Sequence, residues 1–414
     1  MRIKYIYKDK EFSDIRDIVV NNKLEVNFDY LLGEYLPFQL LITKQTAFKG
    51  LTIKFNDTFI PEINGNPSFE FNHEFLDNSI KDYMKEQGFD DKSPYANAVS
   101  GGIDSSVTAL VLKPSLIYSG YYDDPDCDET KYSKAIAEEI NADQKTYLLT
   151  EDDFLDNVDD CFESFCVPAG GMGSIMEYAT LKKLLFDYPE VKQIVFGNGG
   201  DEVFMGYYYN YYVKELVSNS KQTPEWMPNF LMSKKSITNN VLDFVIMSAM
   251  NRGGLNSLYS EFTKYKFLPQ INGIKDYISK LLYVNINIIL PTLLHVVEQL
   301  CRGLGATPFN PLTGNLFVDN ALNINKDITE IPKQRLRESC SNIPNIVKDN
   351  RIKRGFPMPY KDWSRVNEMF REYYISFFKR PEVKVSISEY VGMNRYTWGV
   401  FQAEMFLKKY YNKG

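Results

Sequence analysis

The segment Ser100-Gly101-Gly102-Ile103-Asp104-Ser105-Ser106 places three hydroxyls, two glycines and a carboxylate between an apolar run and a helical one. Two glycines let the backbone turn tightly and come close to a ligand. The hydroxyls and the first amides of the following helix face one anion. A helix N-terminus carries about half a positive charge, so phosphate is the expected guest. A carboxylate beside phosphates is best explained by Mg²⁺, which takes one or two carboxylates together with phosphate oxygens. The chain has no Gly-Lys dipeptide, which excludes a Walker A loop. A second segment, Phe196-Gly197-Asn198-Gly199-Gly200-Asp201-Glu202-Val203-Phe204-Met205-Gly206-Tyr207, also follows an apolar run. Its glycines permit close approach, and adjacent Asp201 and Glu202 offer ligands for a divalent ion or a handle for a substrate.

Such loops need a scaffold. From Tyr95 the pattern predicts strands at Ala96–Val99, Ser115–Tyr122, Lys145–Leu149 and Gln193–Phe196. Between them it predicts helices at Ser105–Leu112, Thr130–Ile140, Phe154–Phe165 and Ile175–Phe186. This alternation implies an α/β fold, a parallel sheet with helices on both faces. Ligands then bind beyond the carboxyl ends of the strands, where both loops fall. Residues 1–85 read differently. Short alternating runs at Arg2–Tyr7, Leu24–Phe28, Leu51–Phe55 and Ser68–Phe71, separated by Asn/Asp/Gly turns, predict a small β-rich part, with a helix over Phe75–Gln87 leading out of it. The remainder is mainly helical: Asn239–Met250, Leu255–Tyr265, Ile274–Tyr283, Ile288–Gly303 and Arg395–Tyr411.

Composition narrows the function classes. With 414 residues, 44% apolar and 24% charged, the chain reads as globular and long enough for more than one core. Its net charge of −7 and lack of a basic block give a nucleic-acid partner no electrostatic support. The charged N-terminus does not read as a signal peptide. The apolar stretches Asn240–Met250 and Val284–Leu300 read as too short or too broken for a membrane helix of about 20 residues. Five scattered Cys without a C-x-x-C read as reduced thiols in a cytoplasmic protein. The only histidines, His73 and His295, exclude a His-rich metal centre and an H-E-x-x-H protease.

The two glycine-rich segments together resemble the asparagine synthetase family, a branch of the ATP pyrophosphatases (PP-loop enzymes). The first matches its S-G-G-x-D-S loop, and residues Gly197 to Tyr207 match its G-x-G-x-D-E-x-F-x-G-Y string. Further matches follow in order. Asp126–Ala137 looks like the D-E-x-x-x-A helix, and Cys166-Val167-Pro168 through Ser174 like the D-E-P…S loop. Leu290–Leu294 resembles L-P-x-L-L, and Pro308-Phe309 the start of P-F-L-D. Lys333-x-x-Leu336-Arg337 resembles K-x-x-L-R, and Arg351–Phe356 resembles R-x-K-x-G-F. The collinear set covers about residues 95–365.

The resemblance implies a mechanism: ATP with Mg²⁺ adenylates a carboxylate, pyrophosphate leaves, and ammonia or an amine displaces AMP. It implies that Ser100, Gly101, Gly102, Asp104, Ser105 and Ser106, with Gly120 and Gly197, hold the nucleotide. Asp104 and Asp201 would hold the metal. The catalytic set it implies is Lys353, whose ammonium would neutralise the transition state, with Asn198 and Asp201. Residues 1–85 then resemble a shortened glutaminase domain without its chemistry, since no Cys precedes Cys127, and residues 86–414 form the synthetase part. Asn198 stands where asparagine synthetases carry a Glu and β-lactam synthetases a Tyr. A neutral amide is not a general base near pH 7. Ala306, Asn310 and Pro311 replace acidic and arginine residues that usually flank the P-F-L-D strand, which speaks against aspartate as substrate. The amine would then come from ammonia, from a second substrate or partner protein, or from the substrate itself, as in β-lactam synthetase or the lasso peptide cyclases acting on a precursor peptide. A scaffold that kept the fold without the chemistry is the reading of another class.

Overall fold

The computed structural model of the chain describes residues 3–55, 70–207, 274, 277–325, 333–350, 358–384 and 389–411. The helices expected at Asn239–Met250 and Leu255–Tyr265 lie outside these residues.

The chain opens with β1 (Lys4–Tyr7), β2 (Lys10–Phe12), α1 (Ile15–Asn21) and β3 (Leu51–Lys54). The strands form an antiparallel sheet in the order β2-β1-β3. Leu24–Phe28 is not the expected strand. Val26 makes a single bridge to Phe48, and Asn27 caps a one-turn helix by accepting from the Tyr30 amide at 3.2 Å. Asn at that position wins over the alternation because its side chain satisfies a backbone donor locally.

After α2 (His73–Glu86) come β4 (Tyr95–Ala98), α3 (Ile103–Leu112), β5 (Leu116–Tyr121), α4 (Thr130–Ile140), β6 (Asp143–Leu148), α5 (Glu151–Phe165), α6 (Gly173–Asp187), β7 (Gln193–Val195) and α7 (Gly200–Val203). Then follow α8 (Tyr277–Val284), α9 (Leu290–Gly303) and β8 (Thr307–Phe309). The sheet order is β6-β5-β4-β7-β8, and every pairing is parallel. Strand residues alternate between its faces. Ile117 and Val195 join a core cluster with α3, whereas Leu116, Tyr118 and Ile194 join a cluster with α6 and α9. The expected helices on both faces are therefore present.

Strand order reverses at β4, with β5 and β6 to one side and β7 and β8 to the other. The loops after β4 and β7 consequently emerge side by side at the switch point, the usual ligand crevice of such sheets. Local signals set the helix starts. Thr150 Oγ1 accepts from the Asp153 amide at 3.3 Å while Asp153 Oδ2 accepts from the Thr150 amide at 2.9 Å, a reciprocal box that starts α5.

Past α10 (Gln334–Ser339), the chain ends in α11 (Ser364–Phe378) and α12 (Arg395–Tyr410). These close over the N-terminal sheet. Tyr5, Phe48, Leu51 and Ile53 share one cluster with Phe370, Trp398, Phe401 and Phe406, and the Phe48 and Phe406 rings meet edge to face at 5.0 Å. Residues 278–303 correct the reading of the apolar stretches. They run as one helical stretch, long and apolar enough to cross a membrane, but its apolar window is largely buried inside the protein. A π turn at Asn285–Ile289 leads into Pro291, which sits in the first turn of α9 and does not break the run.

Candidate active site

The β4–α3 junction forms the floor of a cavity of about 310 Å³. Ser100, Gly102, Asp104 and Ser105 line it from this side, and Gly197, Asn198, Gly199 and Asp201 from the β7–α7 junction. Gly101 takes φ +79°, and a Cβ there would lie 2.6 Å from the Tyr132 Cβ, so the turn needs glycine for both reasons. The hydroxyls are pre-oriented. Ser105 Oγ accepts from the Ser100 amide at 3.2 Å and donates to the Gly102 carbonyl at 3.2 Å, and Ser106 Oγ donates to the same carbonyl at 2.9 Å. No side chain caps α3, whose N-cap is Gly102, so its leading amides are left to a ligand.

Asp104 in the first turn of α3 and Asp201 in the first turn of α7 face each other across the junction. Between them lies the ammonium of Lys333, the residue before α10. Its Nζ is 2.6 Å from Asp201 Oδ1 and also hydrogen-bonds Asp104 Oδ2. The Lys333 side chain is only 5% exposed, so its charge is held by the two carboxylates and not by water. Arg337, one turn on, donates to the Lys348 carbonyl at 2.8 Å and the Asn350 carbonyl at 2.9 Å, which ties α10 to the segment leading toward Arg351.

The carboxylates are donors of the kind Mg²⁺ takes, although in this structure the Lys333 ammonium stands between them. Two carboxylates on opposite walls, beside hydroxyls and helix amides that suit phosphate, are the hard-oxygen environment such an ion takes together with polyphosphate. Glycines hold the space open. A Cβ on Gly200 would lie 2.2 Å from Asp104 Cγ, and one on Gly206 would lie 1.9 Å from Lys333 Cε and 2.2 Å from Asp201 Oδ1.

Of the residues singled out in the sequence, Ser100, Gly102, Asp104, Ser105, Gly120, Gly197, Asn198 and Asp201 line this one cavity. Gly101 and Ser106 stand in the same turn. A Cβ on Gly120 would lie 2.6 Å from Thr180 Oγ1, so β5 and α6 meet closely there. Asn198 donates from Nδ2 to Asn310 Oδ1 at 3.1 Å, an amide pair with no proton acceptor stronger than a carbonyl. Lys353 lies outside the described residues. Glu202 is buried and bound locally, accepting from the Gly199 amide at 3.2 Å and from the Tyr207 hydroxyl.

Two further residues lining the cavity bear on its chemistry. Lys333 carried only a motif match, because its position between two carboxylates joins parts of the chain more than 100 residues apart. Glu177 on α6 carried no signal at all, since a single Glu on a mixed helix reads as solvated. It lines the cavity, and burial pushes its carboxyl up to about 7. Four of the five thiols offer no alternative chemistry; Cys127, half-buried, lines the cavity. Burial raises Cys161, Cys166, Cys301 and Cys340, which keeps them as inert thiols.

In comparisons with known proteins, the family model described as asparagine synthase matches residues 76–389. No curated protein matches the chain.

Proposed function

The chain belongs to the asparagine synthase family, whose common activity is ATP-dependent amide-bond synthesis, and from that premise we propose that it is an AMP-forming carbon–nitrogen ligase. A substrate carboxylate oxygen attacks the α-phosphorus of ATP, the bond to the β-phosphate breaks, and pyrophosphate leaves. A nitrogen nucleophile then attacks the acyl carbon, AMP leaves, and the nitrogen gives up a proton. The observation that carries this reading is the Asp104–Lys333–Asp201 constellation at the open N-terminus of α3. Mg²⁺ held by Asp104 and Asp201 would neutralise polyphosphate charge and orient it for in-line displacement.

The protein's own groups do the rest. Ser100, Ser105, Ser106 and the leading amides of α3 grip the leaving pyrophosphate. Lys333 supplies a buried cation next to them, worth most where water is excluded. Lys353 is proposed to serve the α-phosphate. Gly101, Gly102 and Gly197 keep side chains out of the path, and Gly120, lining the cavity, lets α6 pack close to β5 beside the nucleotide.

The amide pair Asn198–Asn310 favours one variant of this reading. With no base at that position, the nucleophile would arrive neutral, as ammonia or as an amine already placed by the substrate. That includes an intramolecular amine, which would make the protein a cyclase. Residues 1–85 are proposed to contribute no glutaminase chemistry. The free thiols fit a cytoplasmic setting.

ATP–pyrophosphate exchange with candidate acids, followed by chromatography of the nucleotide products, tests the proposal. AMP and pyrophosphate are expected. ADP as the main product overturns it, and the absence of any exchange or ATP turnover with every acid favours the scaffold.

A further inference from the structure

The cavity has two chemically different ends. One is the phosphate end, with its hydroxyls, helix amides, Lys333, Asp104 and Asp201. The other is walled by Tyr118, Phe196 and the α6 face carrying Glu177 and Thr180, with Tyr118 and Phe196 in the core cluster that packs on α6. Flat aromatic and aliphatic walls suit a nucleotide base, not a phosphate.

We propose that Glu177 selects the base of the bound nucleotide, accepting a hydrogen bond from the exocyclic amine of adenine, with Tyr118 beside it. The proposal deepens the ATP-dependent reading above and rests on it. Placement comes first. Glu177 stands one turn before Thr180 on the same face of α6, and Thr180 abuts Gly120 at the carboxyl end of β5. Tyr118 points to that same sheet face, in the cluster that holds Leu181 of α6. The Glu177 charge helps raise the phenol of Tyr118 and the thiols of Cys161 and Cys301, so its neighbours are β5, α5 and α9.

Both polar groups lack a protein partner among the described residues. The Tyr118 hydroxyl is buried without a hydrogen bond, and Glu177, half-buried at the cavity wall, has its carboxyl raised by desolvation with no donor or cation beside it. Buried polar groups are nearly always hydrogen-bonded, because leaving one unpaired is costly. Here the Glu177 carboxyl opens onto the cavity, so its partner is the occupant. Thr180 needs no such partner, since it donates to the Met176 carbonyl at 2.7 Å. Adenine offers an amino donor next to a ring-nitrogen acceptor. A carboxyl poised near neutrality supplies the matching acceptor and, when protonated, the matching donor.

The test is calorimetric binding of ATP, purine riboside triphosphate (which lacks the 6-amino group), GTP and inorganic pyrophosphate. It is run on the parent protein, Glu177→Gln and Glu177→Leu. The parent is expected to prefer ATP over the purine analogue by about tenfold or more. Glu177→Leu should bind the two nucleotides equally. Glu177→Gln should keep part of the preference through its amide carbonyl. Pyrophosphate should bind all three alike, which shows that the variants are folded at the phosphate end. Unchanged discrimination in Glu177→Leu, or a parent that prefers GTP, overturns the proposal while leaving the ligase reading intact. A parent that binds pyrophosphate but no nucleotide overturns both.

Discussion

The ammonium of Lys333 lies 2.6 Å from the carboxylate of Asp201, and Asp104 closes its other side. One buried cation thus joins the β4–α3 turn, the β7–α7 turn and the start of α10. Lys333→Met keeps length and packing but removes the charge. Turnover of ATP is expected to fall by about 10²–10³-fold, as for loss of one preorganised electrostatic contact. Lys333→Arg should rescue poorly, since a planar fork does not replace a point charge between two carboxylates. Steady-state exchange rates check both, and near-parental rates in Lys333→Met would remove it from the machinery.

Asp104→Asn and Asp201→Asn each delete one negative charge from the same cluster. Exchange is expected to drop by at least about 10²-fold in each, with Tm changed little, because an amide keeps the shape of the carboxylate. If both variants exchange at the parental rate, the metal does not sit there.

Gly200→Ala and Gly206→Ala test the cradle sterically. The new methyl groups would overlap Asp104 Cγ at 2.2 Å and Lys333 Cε at 1.9 Å. ATP affinity should weaken by about tenfold or more as the ion-pair cluster is pushed apart. Gly33→Ala is the control, since nothing lies within 4 Å of a Cβ there and its φ is not positive. Equal ATP affinity across all three variants would show that the cluster tolerates displacement.

Protonation of His295 should set part of the acid limb of stability. The ring is fully buried, and burial lowers its pKa from 6.5 to about 4. Gln299 donates to the Tyr5 hydroxyl at 2.5 Å, and Tyr5 pairs with His295 Nδ1 at 2.9 Å, which holds the ring against β1. The folded state binds this proton less readily than the unfolded chain. Its stabilising contribution is therefore full above about pH 6.5 and lost as pH falls toward 4, for a total of about 3 kcal/mol. Chemical denaturation from pH 8 to pH 4 should show a shallower acid limb for His295→Gln than for the parent. Parallel limbs would place the acid sensitivity elsewhere.

Lys353 and Arg354 separate motif from neighbour. Lys353→Met is expected to lower kcat by about 10²-fold or more with a smaller effect on ATP affinity, because charge at the α-phosphate grows toward the transition state. Arg354→Met should be mild. The reverse order would shift the motif alignment by one residue.

The sequence by itself determined four of the sheet's five strands, their parallel sense and the two loops that carry chemistry, while β8 carried only a motif resemblance. Each rests on local signals that tertiary contacts do not override: strand–helix alternation, Gly101 where φ must be positive, and a serine-rich turn at a helix start. Runs such as Thr130–Ile140 match the observed element end to end for the same reason. Only the tertiary structure decided which residues meet. Lys333 reaches Asp104 across more than 200 residues, a contact created by the reversal of strand order at β4. Glu177 becomes a cavity residue because α6 packs on the β5 face that also carries Tyr118. The apolar length of residues 278–303 could not be told from a membrane helix by composition, since burial in a protein core and in a bilayer select the same side chains. The N-terminal strands gain their core from α11 and α12 at the far end of the chain, because a three-stranded sheet with one apolar face must bury that face against something, and no local pattern names the partner.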